Sequence, residues 1–230
     1  MPKKASSKIG GLVSAVVGAL AVAVFVLYQL GVVEPGSESS AAPGTDGTAS
    51  PDGPAEQALR QLEELRVEAE NDPDGYDRAL FPHWDSGVQD DCTTRQVVLL
   101  RDGENVETDE DCQPVSGSWY SPYDGETLTE AQDIDIDHMV ALKEGWRSGA
   151  HAWTTEKRGR FANDLDSSQL WAVSASSNRS KGDDDPAHWL PPLESSHCDY
   201  VVSWIEVKHV WDLTVDPDEE AALREVLSGC

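Results

Sequence analysis

Two short segments hold the residues whose chemistry stands out. Residues 133–142 read DIDIDHMVAL, with Asp133, Asp135 and Asp137 at alternate positions and His138 directly after the last. Further on, 174–186 read SASSNRSKGDDDP, which brings Asn178, Arg179 and Lys181 within four positions. A carboxylate, an imidazole and a carboxamide together suit metal-assisted hydrolysis of a phosphodiester. His138 is the expected catalytic base, because an ordinary imidazole titrates near neutral pH and can take a proton from water. Asp137 and Asn178 are the expected metal ligands, since Mg²⁺ prefers a few hard oxygens and leaves positions open for water and phosphate. Mn²⁺ is the second choice of ion. Asp133 and Asp135 read as a solvated strand face, with Asp135 the one placed to orient the site.

Cations near this pair of segments are the candidate phosphate contacts. From His138 to Lys181 the chain has seven basic residues, Lys143, Arg147, Lys157, Arg158, Arg160, Arg179 and Lys181, against the acids Glu144, Glu156, Asp164 and Asp166. That stretch is therefore positive inside a chain of net charge −26. Arg179, Lys181, Arg158 and Arg160, with Arg95 upstream, are the expected substrate-binding residues. DNA is the expected partner, held locally and weakly, because the remaining charge repels polyanions and excludes general adhesion to nucleic acid. No protein partner is indicated.

The elements that must position these groups can be read from pattern. Residues 134–140 alternate apolar and acidic side chains, as a strand does, and 169–174 (QLWAVS) form its expected partner strand. Asn178–Lys181 then opens a helical turn. Segments 143–148, 155–164, 200–211 and 218–227 are expected helices, as is 55–70, where Leu59, Leu62 and Leu65 recur among charges. Gln96–Arg101 is apolar and β-branched and precedes Asp102-Gly103, so it reads as a strand returning at Val106 in a hairpin bounded by Cys92 and Cys112. The fold class is α+β, a ββα unit with extra helices. Most of the eight Trp belong to the core rather than to base-stacking platforms.

These segments resemble the HNH, or ββα-metal (His-Me finger), endonuclease motif, with a spacing similar to the HNH domain of RNA-guided CRISPR effector nucleases. More closely, residues 91–192 resemble exported HNH proteins related to the C-terminal domain of GmrSD-type restriction endonucleases. The words that carry the resemblance are CTTR at 92–95, Gly117-x-Trp119 to Pro122-Tyr123, DIDH at 135–138, WRSGAHAW at 146–153 and FANDLDSSQLWAVSASSNRSKGDDDPAHWLPP at 161–192. The resemblance implies a metal-dependent DNA endonuclease with His138 as general base, Asp137 on the metal, and Asn178 on the metal or fixing His138. Many HNH nucleases place a metal-binding His one or two helical turns after the Asn. Here Lys181 stands in that helix and the next histidine is His188, which favours the Asp-plus-Asn set.

Outside this core the chain divides into a basic stretch at 1–8, an uncharged apolar run at 9–33, a Gly/Ser/Pro-rich linker at 34–54 and the domain at 55–230, whose motif core is 133–186. Twenty-five uncharged positions at ~1.5 Å each exceed the ~30 Å bilayer core, so 9–33 is either an uncleaved signal-anchor, which makes the membrane a partner, or a cleaved signal peptide. Both place the domain outside the cytoplasm, membrane-anchored or secreted. Export makes disulfides the natural state of Cys92, Cys112, Cys198 and Cys230. Of three possible pairings, local closure favours Cys92–Cys112 with Cys198–Cys230, and the alternative is a long staple between the domain's ends. No Gly-x-Ser-x-Gly, Walker or His-Glu-x-x-His motif occurs, which removes serine hydrolase, P-loop and zincin readings. The runs at 72–75 and 183–185 lack EF-hand spacing. The competing functional class is a non-catalytic cell-surface binding module that keeps the HNH fold, a reading that the charge of −26 supports.

Overall fold

The structure is a computed structural model that describes residues 53–230. The basic stretch, the apolar run and all but the end of the linker lie outside those residues. The expected α+β class and both local disulfides are found, Cys92–Cys112 and Cys198–Cys230. Among the described residues no helix is long and apolar enough to cross a membrane.

Helix α1 (Pro54–Glu64) opens with Pro at its first turn and buries Ala58 and Leu62, one helical turn apart. It ends earlier than expected, and the chain beyond it runs extended, with Val67 in a parallel bridge to Val215 near the C-terminus. Helix α2 (Thr94–Asp102) replaces the expected strand at 96–101. A capping box overrides the β-branched composition: the Thr93 hydroxyl accepts from Gln96 N–H, and Gln96 Oε1 accepts from Thr93 N–H at 2.7 Å. Val98 and Leu99 are then buried a residue apart on one face. Gly103 ends the helix because nothing larger fits there; a Cβ would lie 2.5 Å from Trp119 Nε1, which donates to Leu99 O at 2.8 Å.

Strands β1 (Gly103–Thr108), β2 (Pro114–Tyr120) and β3 (Thr127–Leu128) form an antiparallel meander. The expected hairpin is therefore β1–β2, with Cys112 in its turn, and the bridge to Cys92 encloses α2 as well. Strands β4 (Ile134–His138) and β5 (Leu170–Ser174) make a separate antiparallel pair, with Asp137 opposite Trp171 and His138 opposite Leu170. Between them lie α3 (Leu142–Arg147) and α4 (Thr155–Ala162). Helix α5 (Ala175–Lys181) follows β5 directly, and α6 (His197–Trp211) and α7 (Pro217–Leu227) complete the chain.

Strand alternation makes the β4–β5 pair a wall between two cores. Ile134, Ile136, Leu170 and Ala172 pack with Val98, Leu99 and Trp119. Val173 belongs to the larger cluster, with Tyr123, Phe161, Tyr200 and Trp204. At ~25 cal/mol per Å² of apolar surface removed from water, each of these large side chains contributes on the order of 1.5–3 kcal/mol.

Candidate active site

His138 ends β4 and is 4% exposed. Its Nε2 lies 2.9 Å from Ala162 O, at the end of α4. A carbonyl only accepts, so the neutral ring carries its proton on Nε2 and leaves the Nδ1 lone pair free. Burial pushes the imidazole down to about 3, against the Ala162 hydrogen bond, which raises it. The ring is therefore neutral across the physiological range, and it is a weaker base than the near-neutral imidazole expected from the sequence, because burial disfavours its charged form. Its backbone is fixed as firmly: Lys181 Nζ donates to His138 O at 2.9 Å. Gln169, fully buried, accepts from Val140 N at 3.1 Å and donates to Val140 O at 3.0 Å.

Asp137 points to the opposite face and is buried. Its Oδ2 accepts from Tyr123 OH at 2.6 Å and from Lys181 Nζ at 2.7 Å. Burial pushes its carboxyl above the usual range, while the Lys181 ammonium pulls it down. Oδ1 has no hydrogen-bond partner among the described residues and is not wholly sealed from solvent. On α5, Asn178 Nδ2 donates to Asp135 Oδ2 at 3.1 Å, and the amide oxygen has no hydrogen-bond partner among the described residues. Asp135 is thus the residue that orients Asn178, and the acidic face of β4 lies against α5 rather than in solvent. The start of α5 is held by Asp124, which accepts from the hydroxyls of Ser174 and Ser177; burial raises its carboxyl, but these bonds hold it below the usual range.

The expected phosphate contacts divide. Lys181 is wholly buried, with its ammonium spent on Asp137 and the His138 carbonyl, so it supports the site from within and does not reach a phosphate. Arg158 is also buried: Nε donates to Leu80 O at 2.9 Å and Nη1 to Trp153 O at 2.7 Å, and the guanidinium lies over Phe81 and Trp146. Arg95 donates to Ile134 O at 3.0 Å and braces β4. These three are corrected from substrate contacts to structural ones, because their donors meet main-chain carbonyls or a buried carboxylate. Arg160 is exposed and paired with Glu156 at 2.9 Å. Arg179 is exposed, one position past Asn178, and has no ion pair among the described residues. His188 is 65% exposed at its side chain and pairs with Asp185.

Sequence reading passed over two parts of this site. Gln169 immediately precedes β5, and a polar side chain at the edge of an apolar strand is its only local sign. The other part is the 78–85 segment. Trp84 stacks on His138 with ring centroids 5.5 Å apart and planes 31° apart, and the His83 ring lies 6.3 Å from His138. Nothing in their own neighbourhood marks them, since only the tertiary fold brings them to β4.

Donor chemistry decides which ion the site suits. Among the described residues no group of three or more His, Cys, Asp or Glu converges into an all-protein metal cage. Asp137 Oδ1 and Asn178 Oδ1 are hard oxygens that no hydrogen bond among the described residues occupies, the donor type that suits Mg²⁺ rather than a soft metal.

A buried neutral imidazole ends one strand of a hairpin, with a carboxylate on the opposite strand face and an amide on the following helix. Residues 93–226 match the family of GmrSD restriction endonucleases, C-terminal domain, and the chain belongs to that family. It is also 49% identical over 176 residues, 76% of this chain and 86% of the relative, to a protein of Arthroderma benhamiae described as an uncharacterized secreted protein. No solved structure matches.

Proposed function

We propose that this protein is an exported, metal-dependent HNH endonuclease that hydrolyses DNA phosphodiester bonds, with β4, β5 and α5 as its ββα core. The observation that carries the reading is His138, whose tautomer is set by Ala162 and whose Nδ1 makes no hydrogen bond among the described residues. In this reading Nδ1 takes the proton of a water as its oxygen attacks phosphorus, and the bond from phosphorus to the leaving sugar oxygen breaks. Asp137 Oδ1 and Asn178 Oδ1 would hold a divalent ion, Mg²⁺ or Mn²⁺, which when bound supplies charge stabilisation for the phosphoryl and leaving oxygens. Lys181 favours the ionised form of Asp137 against the burial that raises its carboxyl, and Asp135 keeps the Asn178 amide in one orientation. Arg179 and Arg160 are the exposed cations left to meet the DNA backbone. Export is supported by the two disulfides, by the apolar run at 9–33 and by the secreted relative.

Replacing the proposed ligands tests the metal. Asn178→Ala and Asp137→Asn should each shift the Mg²⁺ dependence of plasmid cleavage to higher concentration by about tenfold or more, on the scale of one lost charged or polar contact. Unchanged titrations for both variants would remove them as ligands.

A further inference from the structure

The 78–85 segment precedes the family-matched residues 93–226, yet it forms one wall of the His138 site. Three contacts hold it there. Arg158 Nε binds Leu80 O, Asn163 Nδ2 donates to Pro82 O at 2.9 Å, and Asp85 N donates to Asn163 Oδ1 at 2.9 Å. Asn163 therefore clamps the His83-Trp84 turn from both sides, one residue beyond the Ala162 carbonyl that sets the His138 tautomer. The clamp retains Trp84 at φ +63°, a left-handed backbone that a bulky side chain rarely adopts. Strain held beside a reactive ring points to a role for what the turn presents.

What it presents is a set of donors. His83 Nδ1 lies 2.7 Å from Phe81 O, so Nδ1 carries a proton toward that carbonyl; Nε2 makes no hydrogen bond among the described residues and becomes a donor when the ring carries both protons. The Arg78 guanidinium is exposed, makes no hydrogen bond or ion pair among the described residues, and lies near enough for its charge to act on His138. Asp85, the acid on the same turn, lines a separate cleft with Arg160, Asp164 and Trp211.

We propose that His83 and Arg78 form a phosphate-binding arm over His138, with His83 as the imidazolium donating Nε2–H to a non-bridging oxygen of the scissile phosphodiester, Nδ1–H staying on Phe81 O, and Arg78 meeting that phosphate or the adjacent one. The assignment rests on the nuclease reading for which phosphate is scissile. In-line displacement puts the leaving oxygen on the far side of phosphorus from the water that His138 deprotonates. A group on the side of His138 thus faces the non-bridging oxygens, and His83 is a phosphate binder rather than the acid that protonates the leaving group.

The test separates binding from cleavage. In the full-length, oxidised His138→Ala protein, affinity for a labelled DNA duplex is measured across a salt series with Ca²⁺ present. Adding His83→Phe, which fills the space without a donor, should weaken Kd about 10- to 100-fold, and His83→Gln, which keeps an N–H, should restore most of it. Arg78→Gln changes an exposed side chain with no structural contact, and should lower the slope of log Kd against log salt by about one. The same substitutions in the active protein should raise KM more than they lower kcat. Unchanged Kd and salt slope for both His83→Phe and Arg78→Gln would overturn the arm. Weakened binding in a protein that cuts nothing under any ion would instead support the arm and overturn the nuclease reading.

Discussion

His138 has its proton on Nε2 because Ala162 offers only an acceptor, and it stays neutral because burial disfavours the imidazolium. This has a consequence for stability. An unfolded histidine binds its proton near pH 6.5, whereas folded His138 does so only at about 3. Between these values the unfolded chain holds more protons, so this contribution to stability is full above ~6.5 and is lost as pH falls toward 3, at up to ~1.4 kcal/mol per pH unit. Glu219 works in the opposite sense. Burial raises its carboxyl to about 7 despite Lys208, so stability from that group declines as pH rises from ~4.5 toward 7. Comparison with His138→Gln isolates the histidine: urea midpoints should show wild type losing more stability than the variant between pH 7 and pH 4. Equal losses would mean that the ring is hydrated and titrates normally. The residue types of the site, Asp137, His138 and Asn178, were legible from their order and spacing. The roles of Lys181 and Arg158 were not, because a positive charge in sequence gives no sign of whether its head will be buried.

At the scale of elements, the site is a set of cross-links among β4, α4 and α5. Lys181 on α5 carries two of them, to the Asp137 carboxylate and the His138 carbonyl of β4. Lys181→Met should leave the buried Asp137 charge with the Tyr123 hydroxyl but without its cation and destabilise the fold by about 3–5 kcal/mol in urea unfolding. A change confined to the salt dependence of DNA binding, with stability intact, would return Lys181 to the surface role that its charge first suggested. The β4–β5–α5 order was legible, since alternation in IDID and the helical turn after QLWAVS are strong local patterns. Helix α2 was misread because Val97, Val98, Leu99 and Leu100 favour a strand by composition, while the deciding signal was Thr93 three residues before Gln96. The 78–85 wall was not legible at all, because Asn163 and Arg158, which fix it, lie far along the chain.

For the molecule as a whole, two disulfides act at its margins. One ties the start of α2 to the β1–β2 turn across 20 residues, and the other ties the start of α6 to the C-terminus across 32. Loop-closure entropy assigns about 3–4 kcal/mol to each. Reduction should lower the urea midpoint accordingly, and a midpoint unchanged by reductant, with free thiols confirmed, would show that the packed cores suffice alone. The local pairing was legible because short loops close most readily, whereas the net charge of −26 gave no guide to the site. That charge sets a condition on activity instead. With Lys181, Arg158 and Arg95 turned inward, the proposed DNA backbone would meet its exposed cations against a net acidic chain, and cleavage should weaken steeply as salt rises.

The central claim is that His138 is the base of a metal-dependent phosphodiester hydrolysis. Its most direct test is cleavage of supercoiled plasmid by the full-length, oxidised protein in Mg²⁺, in Mn²⁺ and in chelator, beside His138→Ala. Nicking that needs the ion and falls at least ~10²-fold in the variant, with its disulfides and circular dichroism preserved, is the predicted result. Cleavage by His138→Ala at the wild-type rate, or none by well-folded wild type with either ion, would contradict it.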